Sequence, residues 1–101
     1  MDFQPTVYIM TNRERGLPYV GVTSNLKKRI REHRLDLIHG YSRRHKLHYL
    51  AHFEPFDTME LAIAREGQLQ NWHRAWRYAL IEESNPEWRD LAEDFGFAAL
   101  G

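Results

Sequence analysis

The sequence predicts a single domain of the α+β class, with the element order strand, strand, helix, strand, helix, helix. Its 101 residues, 43% of them hydrophobic, are enough for one compact core and too few for two. Two short runs rich in β-branched and aromatic residues come first, and stretches with apolar residues at helical spacing follow them. We therefore expect one mixed domain over residues 1–101, ending in an acidic tail at 92–101.

The composition limits the chemistry and the cellular location that we expect. The chain contains no cysteine, which excludes disulfides and thiolate zinc sites and suits a reducing compartment. Its N-terminal segment lacks the basic start and long apolar stretch of a secretory signal, and no apolar run approaches membrane-spanning length. We therefore expect a soluble cytoplasmic protein.

The first half of the chain is predicted to form two strands and a helix. Residues 6–11 and 18–23 are bounded by turn-forming residues, and the polar segment between them predicts a hairpin loop. Ser24 and Asn25 are suitable N-cap residues for a helix over residues 26–39. Gly40 is typical of the position that follows a helix C-terminus.

The second half is predicted to add one strand and the remaining helices. A basic loop at 40–46 leads to a strand at 47–56, one face of which is formed by Leu47, Tyr49, Ala51 and Phe53. Asp57 and Glu60 resemble a capping box for a helix over 58–76, which Gly67 interrupts. A further helix is expected at 77–84, and a short acidic helix at 87–95 follows Pro86. We assign four aromatic residues to the core: Trp72, Trp76, Trp88 and Phe95.

The net charge is zero, but the two signs are separated along the chain. Residues 27–46 carry eight basic and two acidic side chains, a net of +6, and residues 82–94 carry six acidic and one basic, a net of −5. The basic segment predicts a surface that faces a polyanion, because local potential rather than total charge steers association. Charge alone favours ordinary solvated helix faces. The residues that would contact nucleic acid are Lys27, Lys28, Arg31, Arg43, Arg44 and Lys46.

Arg29 and His33 form a pair whose chemistry suits a phosphodiester. They lie four residues apart on the predicted first helix and therefore share a face. A guanidinium binds phosphate and an imidazole handles a proton, which are two tasks of phosphodiester hydrolysis. Two solvent-facing residues on a basic helix would show the same spacing, and spacing alone favours that interpretation.

Glu66 lies at the edge of the apolar stripe of the long helix, where its carboxylate would be partly shielded. The stripe consists of Leu61, Ala62, Leu69, Trp72 and Trp76. A lone carboxylate suits a hard divalent cation that keeps most of its waters and takes other ligands from substrate phosphate. A salt bridge to Arg65 or to an arginine of the first helix is the alternative, and helix geometry does not separate the two.

Two tyrosines, Tyr8 and Tyr19, lie on the strands of the predicted hairpin, where tyrosine is usually a half-buried packing residue. The tripeptide TVY at 6–8 is followed after ten residues by YVG at 19–21, and then by Arg29 and His33. This order resembles the GIY-YIG nuclease family, with threonine in place of the first glycine and valines in place of the isoleucines. Later segments resemble its small stand-alone bacterial branch of uncharacterised UPF0213-like proteins, so the resemblance extends over about residues 6–91.

The resemblance implies a three-stranded antiparallel sheet flanked by helices and a role for each matching residue. Tyr8 matches a tyrosine proposed to activate the attacking water, and Tyr19 matches one that hydrogen-bonds around the site. Arg29 would contact the scissile phosphate and His33 would assist proton transfer. Glu66 would hold a divalent metal, normally Mg²⁺ or Mn²⁺. Asn85 matches a polar residue that the family has late in the domain. The catalytic candidates are therefore Tyr8, Tyr19, Arg29, His33, Glu66 and Asn85.

The activity that the resemblance implies is that of a metal-dependent DNA endonuclease. Relatives that cut specific duplex sites usually carry an extra DNA-binding domain, and residues 67–71 are less basic here than in relatives. Phosphate neutralisation supplies much of duplex affinity. We therefore expect a structure-selective or single-strand-directed enzyme with weak sequence preference. Repair, competence and defence against foreign DNA are all compatible with it.

Two other interpretations use the same residues differently. A nucleic-acid-binding module of the same fold, dependent on a protein partner, would cleave little by itself. A zinc site would draw on the six histidines, of which His48 and His52 are predicted to share a strand face. We expect these two to be surface histidines, because neither an acidic residue nor a third histidine lies at ligand spacing.

Overall fold

The computed structural model describes residues 3–38 and 40–100, and it confirms a three-stranded antiparallel sheet flanked by helices. The strands are β1 (Thr6–Thr11), β2 (Tyr19–Thr23) and β3 (Tyr49–Pro55). The sheet order is β2-β1-β3, and both outer strands run antiparallel to β1. β2 is therefore an edge strand next to the central strand that carries Tyr8.

Helices cover both faces of this sheet in the described part of the chain. They are α1 (Leu26–Arg34), α2 (Tyr41–His45), α3 (Met59–Gln70), α4 (Arg74–Ser84) and a 3₁₀ helix (Leu91–Phe95). Asn25 caps α1, because its side chain accepts a hydrogen bond from the Lys28 amide at 3.1 Å. None of the described helices has the length and apolar character needed to cross a membrane.

Alternation along β1 divides the interior into two apolar layers. Val7 and Ile9 point to one face of the sheet, and Tyr8 and Met10 point to the other. The layer beneath α3 and α4 consists of Val7, Ile9, Val20, Ala51, Ala62, Leu69, Ile81 and Trp88. The layer beneath α1 and the 3₁₀ helix consists of Tyr8, Met10, Leu26, Ile30, Leu47, Leu50 and Ala92. The Tyr8 side chain therefore lies on the α1 face.

β3 departs from the predicted alternation at a bulge. Leu50 and His52 pair with adjacent residues of β1, so Ala51 is an extra residue on β3. Leu50 consequently lies in the same layer as Leu47, whereas Ala51 lies in the other. The prediction that Ala51 shares a face with Leu47 is wrong, because the bulge shifts the two-residue period.

The first helix is shorter than the sequence predicts. It ends at Arg34, and Asp36 has a positive φ of 56°, which is incompatible with a continuing helix. Gly40, with φ of 84°, precedes α2 instead of closing α1. The segment predicted to be a basic loop therefore contains a short helix. The end of the predicted helix, at His39, lies outside the described residues.

The long helix predicted over 58–76 begins and breaks at other residues. Thr58, not Asp57, is its N-cap, since the Thr58 hydroxyl accepts a hydrogen bond from the Leu61 amide at 3.2 Å. The helix breaks at residues 71–73, where the Asn71 side-chain amide donates to a carbonyl of the preceding turn. The boundary between the two predicted helices therefore lies at residues 71–73 and not after residue 76, so α4 begins at Arg74.

This break changes which aromatic residues reach the core. Trp76 is 56% exposed, so its assignment to the core is wrong; it belongs to α4, and its spacing from Trp72 does not run along one helix. Leu61 of the predicted stripe is also exposed. Trp88 is buried as predicted, and its positive φ of 55° confines the last predicted helix to the 3₁₀ segment. Two more are half-buried against the layers: Trp72 and Phe95.

Candidate active site

Tyr8 and Tyr19 lie on the same sheet face, and His33 of α1 packs over both rings. Tyr8 pairs with Gly21 across the hairpin, and Tyr19 pairs with Met10. Each tyrosine ring centroid is 5.5 Å from that of His33, and the two tyrosine centroids are 6.3 Å apart. The Tyr8 hydroxyl is hydrogen-bonded to His33 Nε2 at 3.0 Å, and both residues are buried. The hairpin and α1 together hold a tyrosine–histidine pair.

Gly21 provides the space that the Tyr8 ring occupies. A Cβ atom at this position would lie 2.5 Å from Cζ and from the hydroxyl oxygen of Tyr8. The ring therefore lies against the β2 backbone where another residue's side chain would stand. The YVG segment at 19–21 therefore contributes both Tyr19 and the space that the Tyr8 hydroxyl occupies.

Ser42 holds the other side of the His33 ring. Its hydroxyl is hydrogen-bonded to His33 Nδ1 at 2.7 Å, and Ser42 is itself buried. Both imidazole nitrogens are thus engaged, one by Tyr8 and one by Ser42, which fixes the orientation of the ring. No sequence pattern indicates this contact, because α2 is too short and too polar to show a helical period.

Burial keeps both members of the tyrosine–histidine pair uncharged near neutral pH. Burial is the largest of the effects that lower the pKa of His33 to about 4, and the charges of Arg29 and His48 make up the rest. Burial also raises the pKa of Tyr8 well above its ordinary value, and Tyr19 adds to this effect. The pair is therefore a protonated phenol bonded to a neutral imidazole, an arrangement through which a proton can move.

The charges of Arg29 on α1 and Glu66 on α3 both affect the Tyr8 hydroxyl. Beside the larger effect of burial, the charge of Arg29 lowers the pKa of Tyr8 and that of Glu66 raises it. Within residues 3–38 and 40–100, the half-buried Glu66 carboxylate forms no hydrogen bond or ion pair. Arg65 instead pairs with Glu54 at 2.9 Å. The structure therefore favours an uncommitted carboxylate over the salt bridge that the sequence left open.

Asn85 is not brought together with these residues. Its side-chain amide donates to the Ala51 carbonyl at 3.1 Å and to the Arg89 carbonyl at 2.9 Å, and its oxygen accepts from the Arg89 amide at 3.0 Å. These bonds tie the end of α4 to β3 and to the following turn. The contacts of Asn85 are those of a residue that stabilises the fold.

The predicted nucleic-acid-binding residues lie on two neighbouring helices of the α1 face. All of them are exposed: Lys27, Lys28 and Arg31 on α1, Arg43 and Arg44 on α2, and Lys46 at the end of α2. Lys46 is 3.3 Å from Asp36, so its charge is partly offset. A cavity of about 430 Å³ opens at the start of α1, lined by Lys28, Arg29 and Glu32 among others. Exposed cations thus lie on the two helices that carry His33 and Ser42.

The histidines do not form a zinc site in the described part of the chain. No group of three or more metal-binding His, Asp or Glu side chains occurs there. His48 is hydrogen-bonded to Asp36 at 2.9 Å, and His52 to Glu54 at 2.8 Å. The expectation that His52 is a surface residue is wrong, because the β3 bulge turns it beneath α4, where it is buried.

A tyrosine–histidine pair beside one arginine and one free carboxylate defines a class of site that handles a phosphate and a proton. Comparison with known proteins agrees with this class: residues 4–79 match the family model of the GIY-YIG catalytic domain. The chain belongs to the GIY-YIG family, which is a family of nucleases. No solved structure matches the chain significantly.

Three relatives that match the chain carry the name UPF0213 protein. The chain is 35% identical over 77 residues to one from Haloquadratum walsbyi, covering 76% of this chain and 85% of the relative. It is 33% identical over 82 residues to one from Syntrophus aciditrophicus, covering 80% and 92%. A third, from Natronomonas pharaonis, is 30% identical over 77 residues, covering 76% and 89%. The chain therefore resembles small proteins of nearly its own length.

Proposed function

We propose that this protein is a metal-dependent DNA endonuclease that hydrolyses phosphodiester bonds. The observation that carries the proposal is the buried hydrogen bond of 3.0 Å between the Tyr8 hydroxyl and His33 Nε2, within a GIY-YIG domain. Arg29 and Glu66 act on the same hydroxyl from two helices. The charges of a phosphate ligand and of a carboxylate thus both affect the hydroxyl of the proton relay.

Tyr8 and His33 form the proton relay of this mechanism. The Tyr8 oxygen accepts a proton from the attacking water while the Tyr8 proton passes to His33 Nε2. Nδ1 carries the other proton and donates it in a hydrogen bond to the Ser42 oxygen, which is 2.7 Å away. Ser42 is then a positioning residue, because it selects the tautomer in which Nε2 is free to accept a proton.

Arg29 couples phosphate binding to the basicity of His33. Its positive charge binds the scissile phosphate and stabilises charge that develops on it. The same charge lowers the pKa of His33 after the larger effect of burial. An anionic phosphate at Arg29 offsets that repulsion, so His33 becomes a better proton acceptor when substrate is bound.

GIY-YIG nucleases generally use divalent metals. The carboxylates near the proposed site fit a hard divalent cation, Mg²⁺ or Mn²⁺. Glu66 is uncommitted, and Glu32 is a second carboxylate whose charge reaches the Tyr8 hydroxyl. One or two carboxylates suit an ion that keeps several waters and takes the rest of its ligands from substrate phosphate. We assign Glu66 as the metal ligand. When bound, the ion would polarise a phosphoryl oxygen and offset charge on the leaving group.

A single-stranded or branched substrate is the second part of the proposal. The exposed cations of α1 and α2 offer a track for a phosphate backbone, while the acidic C-terminal half leaves the net charge at zero. Strong duplex binding needs many phosphate contacts, so this balance favours short or flexible substrates. The lack of cysteine suits a cytoplasmic enzyme.

The test is a cleavage assay on end-labelled single-stranded, flapped and duplex DNA with Mg²⁺ or Mn²⁺. Tyr8→Phe and Glu66→Gln are expected to lose at least about 100-fold in cleavage rate, because each removes a group that acts on the reacting atoms. Both variants should retain DNA binding and the wild-type fold.

Matched control variants use exposed or uninvolved residues of the same type. Glu60→Gln changes an exposed carboxylate of α3, and Tyr49→Phe removes a hydroxyl from β3; both should cleave like wild type. Full cleavage by Tyr8→Phe or Glu66→Gln would refute the assigned mechanism. DNA binding without any metal-dependent product would instead identify the protein as a nucleic-acid-binding module of the same fold.

A further inference from the structure

A second cleft is lined by Tyr19 but by neither Tyr8 nor His33. It has a volume of about 370 Å³, within the range of about 300–1,000 Å³ of small-ligand sites. α2 contributes Tyr41 to its wall, and α4 contributes Arg77. Tyr19 lines this cleft and also packs against His33, so the cleft adjoins the candidate active site. None of the roles assigned above uses it.

Tyr41 presents an aromatic face that its neighbours hold in place. Its ring is nearly parallel to that of Tyr19, with an angle of 21° and centroids 6.5 Å apart. On another side it packs against His45, with centroids 4.4 Å apart. Tyr41 nevertheless remains 44% exposed. A large exposed aromatic ring that is held by two others is suited to stack on a further flat ring.

Arg77 places a cation in the same cleft without pairing it to a carboxylate. Its Nε donates to the Leu69 carbonyl at 2.9 Å, and its Nη2 donates to the Gln70 carbonyl at 2.8 Å. Within the described ranges it forms no ion pair with an acidic side chain. The last carbonyls of α3 therefore orient the guanidinium and leave its charge available to an anion.

We infer that this cleft binds one unpaired nucleotide, with its base on Tyr41 and its phosphate at Arg77, next to the phosphate that is cleaved. The inference rests on the proposed nuclease function and specifies its substrate as single-stranded at that nucleotide. Bases are free to stack on a protein aromatic ring only where they have left the duplex. An aromatic face together with an unpaired cation matches the two chemical parts of a nucleotide.

The test measures binding and cleavage separately. Fluorescence anisotropy of a labelled single-stranded oligonucleotide in EDTA gives affinity without cleavage. Tyr41→Ala is expected to weaken binding about fivefold or more, whereas Tyr41→Phe, which keeps the ring, should bind like wild type. Arg77→Ala should also weaken binding and reduce its salt dependence. The control is Arg74→Ala, which removes an exposed arginine of α4 outside the cleft.

A series of oligonucleotides with one abasic residue, moved along the strand, then locates the base. In the wild type, one position of the abasic residue should weaken binding as much as Tyr41→Ala does. In Tyr41→Ala the same abasic residue should have no further effect, because the contact is already lost.

The outcomes distinguish this inference from the proposed function. One outcome is that cleavage persists, Tyr41→Ala binds DNA like wild type, and no abasic residue weakens binding. That outcome overturns the nucleotide site and leaves the nuclease proposal intact. Absence of single-strand binding by the wild type also overturns it. A position-specific abasic effect that disappears in Tyr41→Ala supports the site even if no metal gives a product, in which case only the nuclease proposal fails.

Discussion

The burial of a neutral His33 predicts that the protein loses stability in a defined range of acidic pH. The folded protein holds the pKa of His33 at about 4, mainly through burial, against an ordinary value of 6.5. Between these two values the unfolded chain binds a proton at His33 and the folded chain does not. The free energy of unfolding therefore falls as the pH drops from about 6.5 towards 4, and this contribution is fully present above 6.5.

The size of the effect follows from the two pKa values. At about 1.36 kcal/mol per pH unit, the full difference corresponds to about 3.4 kcal/mol. About 2 kcal/mol of it is lost by pH 5. His33 is only 1% exposed, so solvent screening does not reduce the effect appreciably. A typical domain has about 5–15 kcal/mol of stability, so the loss is large enough to measure.

The assay is urea unfolding followed by circular dichroism at pH 8, 6.5, 5.5 and 5, for wild type and for His33→Gln. The variant will be less stable at pH 8, because it loses the contacts to Tyr8 and Ser42, so the comparison concerns the change with pH. We expect wild type to lose about 2 kcal/mol more than His33→Gln between pH 8 and pH 5. His73→Gln, at an exposed histidine, should follow wild type.

Carboxylates also make the stability depend on pH, but at lower pH values. The same carboxylates are present in wild type, His33→Gln and His73→Gln. The pKa values of Asp36 and Glu54 lie below their ordinary values, the first mainly through the hydrogen bond from His48 and the second through hydrogen bonds from Arg65 and His52 that outweigh burial. Their protonation therefore cancels in the comparison. Equal losses for wild type and His33→Gln between pH 8 and pH 5 would show that His33 is not held neutral by burial, and the proton relay would lose its basis.

Three further predictions concern packing around the site and the stability of the fold. Gly21→Ala should reduce cleavage by about 100-fold or more with little change in circular dichroism, because its Cβ would displace the Tyr8 ring. Asp90→Ala should lower the free energy of unfolding by about 3–5 kcal/mol, because the buried Asp90 pairs with Arg34 and also accepts a backbone hydrogen bond from β3. Gly67→Ala should raise it by about 1 kcal/mol without changing cleavage, because the added methyl group meets no atom within 4 Å.

Each of these predictions has a result that would contradict it. Wild-type cleavage by Gly21→Ala would mean that the Tyr8 ring does not need its present position. A loss below about 1 kcal/mol for Asp90→Ala would mean that the Arg34–Asp90 pair is not an important link between α1 and the C-terminal segment. A destabilised Gly67→Ala would show that the helix at this point requires glycine.

The main elements of the fold could be predicted because their signals are local. The hairpin strands carry β-branched and aromatic runs with turn residues between them, and Asn25 caps α1 as expected. α2 could not be predicted, because five polar or basic residues show no apolar period and its buried Ser42 is fixed by a contact to α1. The β3 bulge also depends on pairing with β1.

The candidate site was predictable in part for the same reason. Tyr8, Arg29 and His33 stand in an order along the chain that resembles a known family, so their grouping follows from the sequence. The role of Gly21 depends on its register opposite Tyr8, and register is a property of the folded sheet. Asn85 also stands where the family order places a polar site residue, but its side chain donates hydrogen bonds to the Ala51 and Arg89 carbonyls. Its position in the sequence therefore did not predict its contacts.

The division of the interior into two layers has a consequence for the newly made protein. Tyr8, Arg29 and His33 belong to the face covered by α1, whereas Glu66 is carried by α3, which belongs to the opposite face. Synthesis proceeds from the N-terminus, so a nascent chain has its tyrosine, arginine and histidine before its carboxylate. On the proposed mechanism, the polypeptide on the ribosome is inactive towards nucleic acid until α3 has emerged and docked. The order of the sequence would thus delay nuclease activity until most of the chain has been released from the ribosome.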